Sequence, residues 1–118
     1  MEYEKICNEI LECGKKIRYV AVYDFGELYE KPKPGLKNYL SKEETEVSLS
    51  QAVYRWSTRK KIADKIGKPI FAFAKYEKIY RITISINGAG LILISTELEI
   101  DVIETIERIL KIRDKYSQ

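Results

Sequence analysis

The chain contains no histidine. That absence removes Ser-His-Asp and Cys-His catalysis, histidine-containing metal sites and the usual proton shuttle near neutral pH. Acid–base work would fall to Glu, Asp, Lys or Tyr. The densest carboxylate group, Glu43, Glu44 and Glu46, crowds the start of one helix rather than converging as a pair. Cysteine is also scarce, with Cys7 and Cys13 alone. On a helix this spacing puts them about 9 Å apart along the axis and on different sides, too far for a disulfide. A lone C-x5-C is no zinc signature either, so both read as small, at least half-buried thiols. Three prolines and six glycines leave few places for a linker. The longest strongly apolar run, residues 90–95, is far shorter than the roughly 20 residues that cross a membrane. Charged residues follow Met1 where a signal peptide would be apolar, which points to a cytoplasmic protein. No catalytic residue, metal ligand or cofactor site emerges, so an enzyme is not expected.

What is present is a well-ordered succession of hydrophobic periods. With 118 residues, 45% of them apolar and 33% charged, the chain is expected to fold as one domain, 1–118, around one core. Tyr3, Ile6, Cys7, Ile10 and Leu11 form a helical stripe that ends at Gly14. Residues 17–24 are β-branched and aromatic, Asp24-Phe25-Gly26-Glu27 is a turn, and residues 28–30 make a short return strand. Pro32 and Pro34 then break regular structure. Ser41 and Glu44 spell a capping box, and the helix behind it is predicted over 42–66, ending at Gly67 with Pro69 beyond. Three strands follow, at 70–77, 79–86 and 90–96, the first two joined by Tyr76-Glu77-Lys78-Ile79 and the last two by Asn87-Gly88. Tyr80, Ile82, Ile84 and Ile86 alternate with Arg81, Thr83 and Ser85, the pattern of a half-buried strand. Leu91 to Ile94 is apolar on both faces and belongs at the sheet centre with helices on both sides. A last helix from about Ile100 carries the stripe Val102, Ile103, Ile106, Ile109 and Leu110. The expected fold is α+β, of order α-β-β-α-β-β-β-α: a three-layer sandwich with an antiparallel five-stranded sheet between helices.

This order, with the hairpin Val20-Ala21-Val22-Tyr23-Asp24-Phe25-Gly26-Glu27-Leu28, resembles the roadblock/dynein light chain fold, a profilin-like sandwich. The likeness covers nearly the whole chain but rests on element order. The middle helix and the connection over 31–40 are longer than the compact versions of that fold carry. Arg55-Trp56, Ile66-Gly67-Lys68 and Tyr76-Glu77-Lys78-Ile79 also resemble a small archaeal family to which no activity is attached. Roadblock proteins generally form homo- or heterodimers through the middle helix and the adjoining edge strand, and many bind or regulate small GTPases. The resemblance therefore implies a non-enzymatic adaptor that forms a homodimer and has a protein partner such as a small GTPase.

Leu49, Ala52, Val53, Trp56, Ala63 and Ile66 form the stripe of the middle helix expected to face the sheet. Tyr54 and Ile62 lie about 100° or more off it, a second apolar edge suited to the same helix of another subunit. Arg55 and Arg59 share a face, and with Lys60, Lys61, Lys65 and Lys68 they make a basic run beside Trp56, a possible aromatic platform. The candidate interface residues are thus Tyr54, Arg55, Arg59 and Ile62, with Phe71 and Phe73 on the presumed edge strand. Without a groove-reading motif, nucleic acid is not expected as a partner, and neither is a membrane. Gly88-Ala89-Gly90 precedes a strand rather than a helix and is rejected as a phosphate loop. The alternative is a small-molecule sensor whose pocket is lined by Tyr19, Tyr23, Tyr76 and Tyr80.

Overall fold

The computed structural model describes residues 2–86 and 90–116; the expected Asn87-Gly88 turn lies outside them. The chain forms two compact units, one of residues up to Leu36 together with those from Phe71 onward, the other Lys37–Ile70.

The first unit holds α1 (Tyr3–Glu12), β1 (Ile17–Asp24), β2 (Glu27–Pro32), β3 (Phe71–Lys75), β4 (Tyr80–Ile86), β5 (Gly90–Thr96) and α4 (Val102–Tyr116). The second holds α2 (Lys42–Lys60) and the single turn α3 (Ala63–Ile66). All five strands join one antiparallel sheet of order β2-β1-β5-β4-β3. The doubly apolar β5 is its central strand, and Leu91 to Ile94 are buried on both faces. The alternating β4 sends Ile82, Ile84 and Ile86 to the core.

Register decides which side chains share that core. Val20 lies opposite Ile94 and Val22 opposite Ile92, which in turn face Ile82 and Ile84. Ile6, Cys7 and Ile10 of α1 and Ile106 and Ile109 of α4 close over this face. Each is exposed by 1% or less, and burying one isoleucine side chain contributes about 1.5–3 kcal/mol. A polar link ties the two helices together. Glu9 of α1 accepts from Lys115 Nζ at 2.6 Å and from the Tyr116 hydroxyl of α4.

Four expectations need correction. First, the middle helix is not continuous over 42–66. Thr58 Oγ1 donates to the Tyr54 carbonyl at 3.1 Å, a back-bond that bends helices, and Lys61 N–H reaches Thr58 O in a tightened last turn. Regular helix stops at Lys60 and one further turn begins at Ala63, so Ile62 sits at the break. Gly67, at φ 93°, ends that turn where expected. Second, Ile66 is no core residue, being 77% exposed, and Ile103 of α4 is 46% exposed.

Third, β2 runs on to Pro32. The Lys33 N–H donates to Arg18 O at 2.8 Å, so by alternation Pro32 turns its backbone nitrogen to the open side of this edge strand. No ladder bond is lost there. Fourth, α4 starts at Val102 and Asp101 is its cap, with Oδ1 accepting from Glu104 N–H at 3.0 Å. The Ser41 capping box forms as its sequence indicates, Ser41 Oγ accepting from Glu44 N–H at 3.1 Å and Glu44 Oε1 from Ser41 N–H at 2.9 Å.

Candidate functional site

The two edges of the sheet are built differently. At β2 the open side carries Glu30 and Pro32, the charged and donor-less residues that discourage a further strand from pairing. The other edge, β3, reads Phe71-Ala72-Phe73-Ala74-Lys75, with no charge before its last residue. Its N–H and C=O groups alternate between β4 and solvent. Tyr76 N–H bonds to Ile79 O at 2.8 Å, which places Ala74 and Ala72 toward β4 and leaves the backbone of Phe71, Phe73 and Lys75 facing outward.

Phe71 and Phe73 pair with Ile84 and Ile82, so both rings lie on the face that α1 and α4 cover farther along the sheet. At the edge they remain exposed, by 38% and 42%. Phe73 meets Tyr80 edge-on, with centroids 6.1 Å apart, and Lys75 Nζ stands 5.8 Å from the same Tyr80 ring. The result is an apolar, hydrogen-bond-competent strip.

The remaining candidate residues belong to the second unit. Ala52 and Trp56 of α2 are buried, with Leu49 and Val53 half-buried, as the stripe requires. Tyr54 is off that stripe and 72% exposed. Arg55 is exposed as well. Arg59 is exposed and stacks over the Trp56 indole at 5.8 Å, so Trp56 is no open platform. Ile62, at the helix break, is 54% exposed. Charge is divided unequally between the units. Residues 37–70 carry eight Lys and Arg against four Asp and Glu, and the rest of the chain thirteen against fourteen.

The tyrosines do not converge. Tyr19 and Tyr23 share the sheet face of Arg81, whereas Tyr80 lies on the opposite face and Tyr76 follows the end of β3. The Tyr19 hydroxyl donates to Glu30 Oε2 at 2.8 Å. A cleft of about 210 Å³ between the end of α1 and the start of α4 is lined by Cys13, Lys15, Lys16, Asp101 and Arg108 among others, and by no tyrosine.

Neither thiol is activated. Burial pushes Cys7 up to about 11 and raises Cys13 too, which keeps both in the poorly nucleophilic protonated form. Among the described residues no group of three His, Cys, Asp or Glu side chains could hold a metal ion. None of the described helices is long and apolar enough to cross a membrane.

Two features escaped sequence reasoning. Asp24 is buried, accepting from the Tyr3 hydroxyl at 2.8 Å, and that bond raises the tyrosine's pKa. Its Oδ1 stands where a β-carbon on Gly90 would come within 2.8 Å, so glycine is required there. Phe25, in the expected turn, adopts φ 51° beside Gly26 at φ 79°, the type I′ pattern, and is 88% exposed. Only the glycine and the aspartate of that turn carried a signal in the sequence.

No family model and no curated protein sequence matches the chain. Solved structures do. MglB of Myxococcus xanthus superposes with a TM-score of 0.73 over 99% of this chain and 95% of its own, at 15% identity. A roadblock/LC7 domain from Streptomyces avermitilis reaches 0.74 over 98% and 94%, at 6% identity. A structure described as MglB with tetrameric arrangement reaches 0.63 over 96% and 90%, at 13% identity. The five-stranded antiparallel sheet and its helices therefore have the roadblock/LC7 fold.

Proposed function

We propose that this chain is a non-enzymatic, dimeric adaptor or regulatory protein that binds another protein through α2 and β3. The observation that carries this reading is the unguarded β3 edge. A Phe-Ala-Phe-Ala strand with outward backbone donors and acceptors is a ready template for a further strand. Tyr54 and Ile62 of the second unit, more than half exposed, are the apolar residues proposed for the helical contact, with Arg55 and Arg59 exposed beside them. Self-association is supported by one similar structure, described as MglB with tetrameric arrangement. A small GTPase is the partner class that the roadblock resemblance implies. The scattered tyrosines and the tyrosine-free cleft count against the small-molecule sensor.

Light scattering behind a sizing column tests this directly. The expected mass is twice 13.8 kDa. Tyr54→Glu with Ile62→Glu is expected to halve the mass with an unchanged circular dichroism spectrum, because both residues are exposed. A wild-type monomer at high concentration, or a doubly substituted chain that still dimerises, would refute the reading.

A further inference from the structure

Residues 55–68 hold six Lys and Arg and one carboxylate, Asp64. The break after α2 falls within this run. Ile66 N–H bonds to Ile62 O at 3.2 Å, so the two isoleucines lie one turn apart on one side of α3. Gly67 then ends the helix, and Lys68-Pro69-Ile70 follows without regular structure. Ile66 is 77% exposed and Ile70 54%. Lys61 and Lys65 stand beside Ile62 and Ile66 in sequence and are themselves exposed. Arg55, Lys61, Lys65 and Lys68 form no ion pair among the described residues. Nothing in the stability of the fold calls for exposed isoleucines between unpaired lysines.

We propose that residues 60–70 form a docking surface for an anionic lipid bilayer, with lysines meeting the headgroups and Ile66 and Ile70 entering the headgroup–acyl boundary. The chemistry of the patch selects this occupant. Its cations are mostly lysines, strongly hydrated point charges suited to a diffuse anionic surface rather than to the fixed, bidentate geometry that arginine reads. Protein interfaces are depleted in lysine and anchored by aromatic residues. The one aromatic ring within the run, Trp56, is buried, which leaves nothing there to stack on nucleic acid bases. The proposal does not depend on the dimer reading, and Ile62, shared by both, is left untouched in the test.

The full chain is to be sedimented with large vesicles of phosphatidylcholine, with and without phosphatidylserine, at low and high salt. Binding is expected only to the phosphatidylserine vesicles and is expected to fall as salt rises, because surface charge is screened. Each cation near such a surface changes partitioning about fivefold, so Lys65→Glu with Lys68→Glu is expected to weaken binding by more than about a hundredfold. Ile66→Ser is expected to weaken it about tenfold while leaving its salt dependence intact. Circular dichroism and the solution mass are expected to stay unchanged in both, which separates this outcome from a failure of the dimer. Absent phosphatidylserine-dependent binding, indifference to the lysine reversals, or indifference to Ile66→Ser with equal binding to polyglutamate or single-stranded DNA would each overturn the proposal.

Discussion

Helices α1 and α4 and the segment 37–70 treat their apolar residues in opposite ways. The first pair buries Ile6, Cys7, Ile10, Ile106 and Ile109 almost completely, and its ion pairs stay at the periphery. The second leaves Tyr54, Ile62, Ile66 and Ile70 each more than half exposed and holds the chain's cationic excess. A hydrophobic residue that is fully covered contributes to folding, whereas one left in water contributes only when something else arrives to cover it. On the proposed reading, stability and recognition are carried by different stretches of one small chain. The two sheet edges repeat the contrast, with β2 charged and β3 apolar.

Substitutions can sharpen this division. The largest effect is expected at Ile106, which is fully buried. Ile106→Ala removes packing between α4 and the sheet and is expected to cost about 2–5 kcal/mol in urea unfolding. A loss well under that range would mean the α1/α4 face is not the main source of stability.

A smaller effect is expected at Ser41, whose hydroxyl and backbone N–H complete the capping box of α2. Ser41→Ala is expected to cost about 1 kcal/mol. Hydrogen exchange is expected to locate the loss in residues 42–60, with protection of β1, β4 and β5 retained; uniform deprotection would show that the two regions unfold together.

The smallest effect concerns pH. The Lys115 and Tyr116 hydrogen bonds hold the Glu9 carboxyl below its ordinary value. A group whose folded pKa is depressed stabilises above its unfolded pKa, near 4.5 here, and loses that contribution as pH falls through the folded value. Stability is therefore expected to fall more steeply below pH 4.5 in the wild type than in Glu9→Gln, as read from thermal melts across that range. Identical slopes would dissolve the α1–α4 link.

Much of this was legible without coordinates, because the signals are local. The α1 stripe needs only a 3.6-residue period, the capping box only Ser41 and Glu44, and the inward isoleucines of β4 only alternation. Phe71 and Phe73 fell on an edge strand because β3 follows a helix and pairs with its neighbour β4. The helix break was harder to see. Lys61 and Ile62 are acceptable helix residues, and only the tightened Lys61–Thr58 turn and the Thr58 back-bond reveal why regular helix stops. The exposure of Ile66 follows from that break, since an interrupted helix no longer carries its stripe forward.

By itself the sequence determined the class and order of the main elements, the Ser41 capping box, the Asp24–Glu27 turn and the missing histidine chemistry, because each of these depends on a residue and its near neighbours. Tertiary structure decided the rest. It buried Asp24 under Tyr3 and against Gly90, let β2 pass through Pro32 at an open edge, joined Glu9 of α1 to Lys115 of α4, and left Ile66 and Ile70 in water beside lysines. These outcomes depend on residues brought together, or kept apart, only when strands pair in register and helices pack, and no local period carries that information.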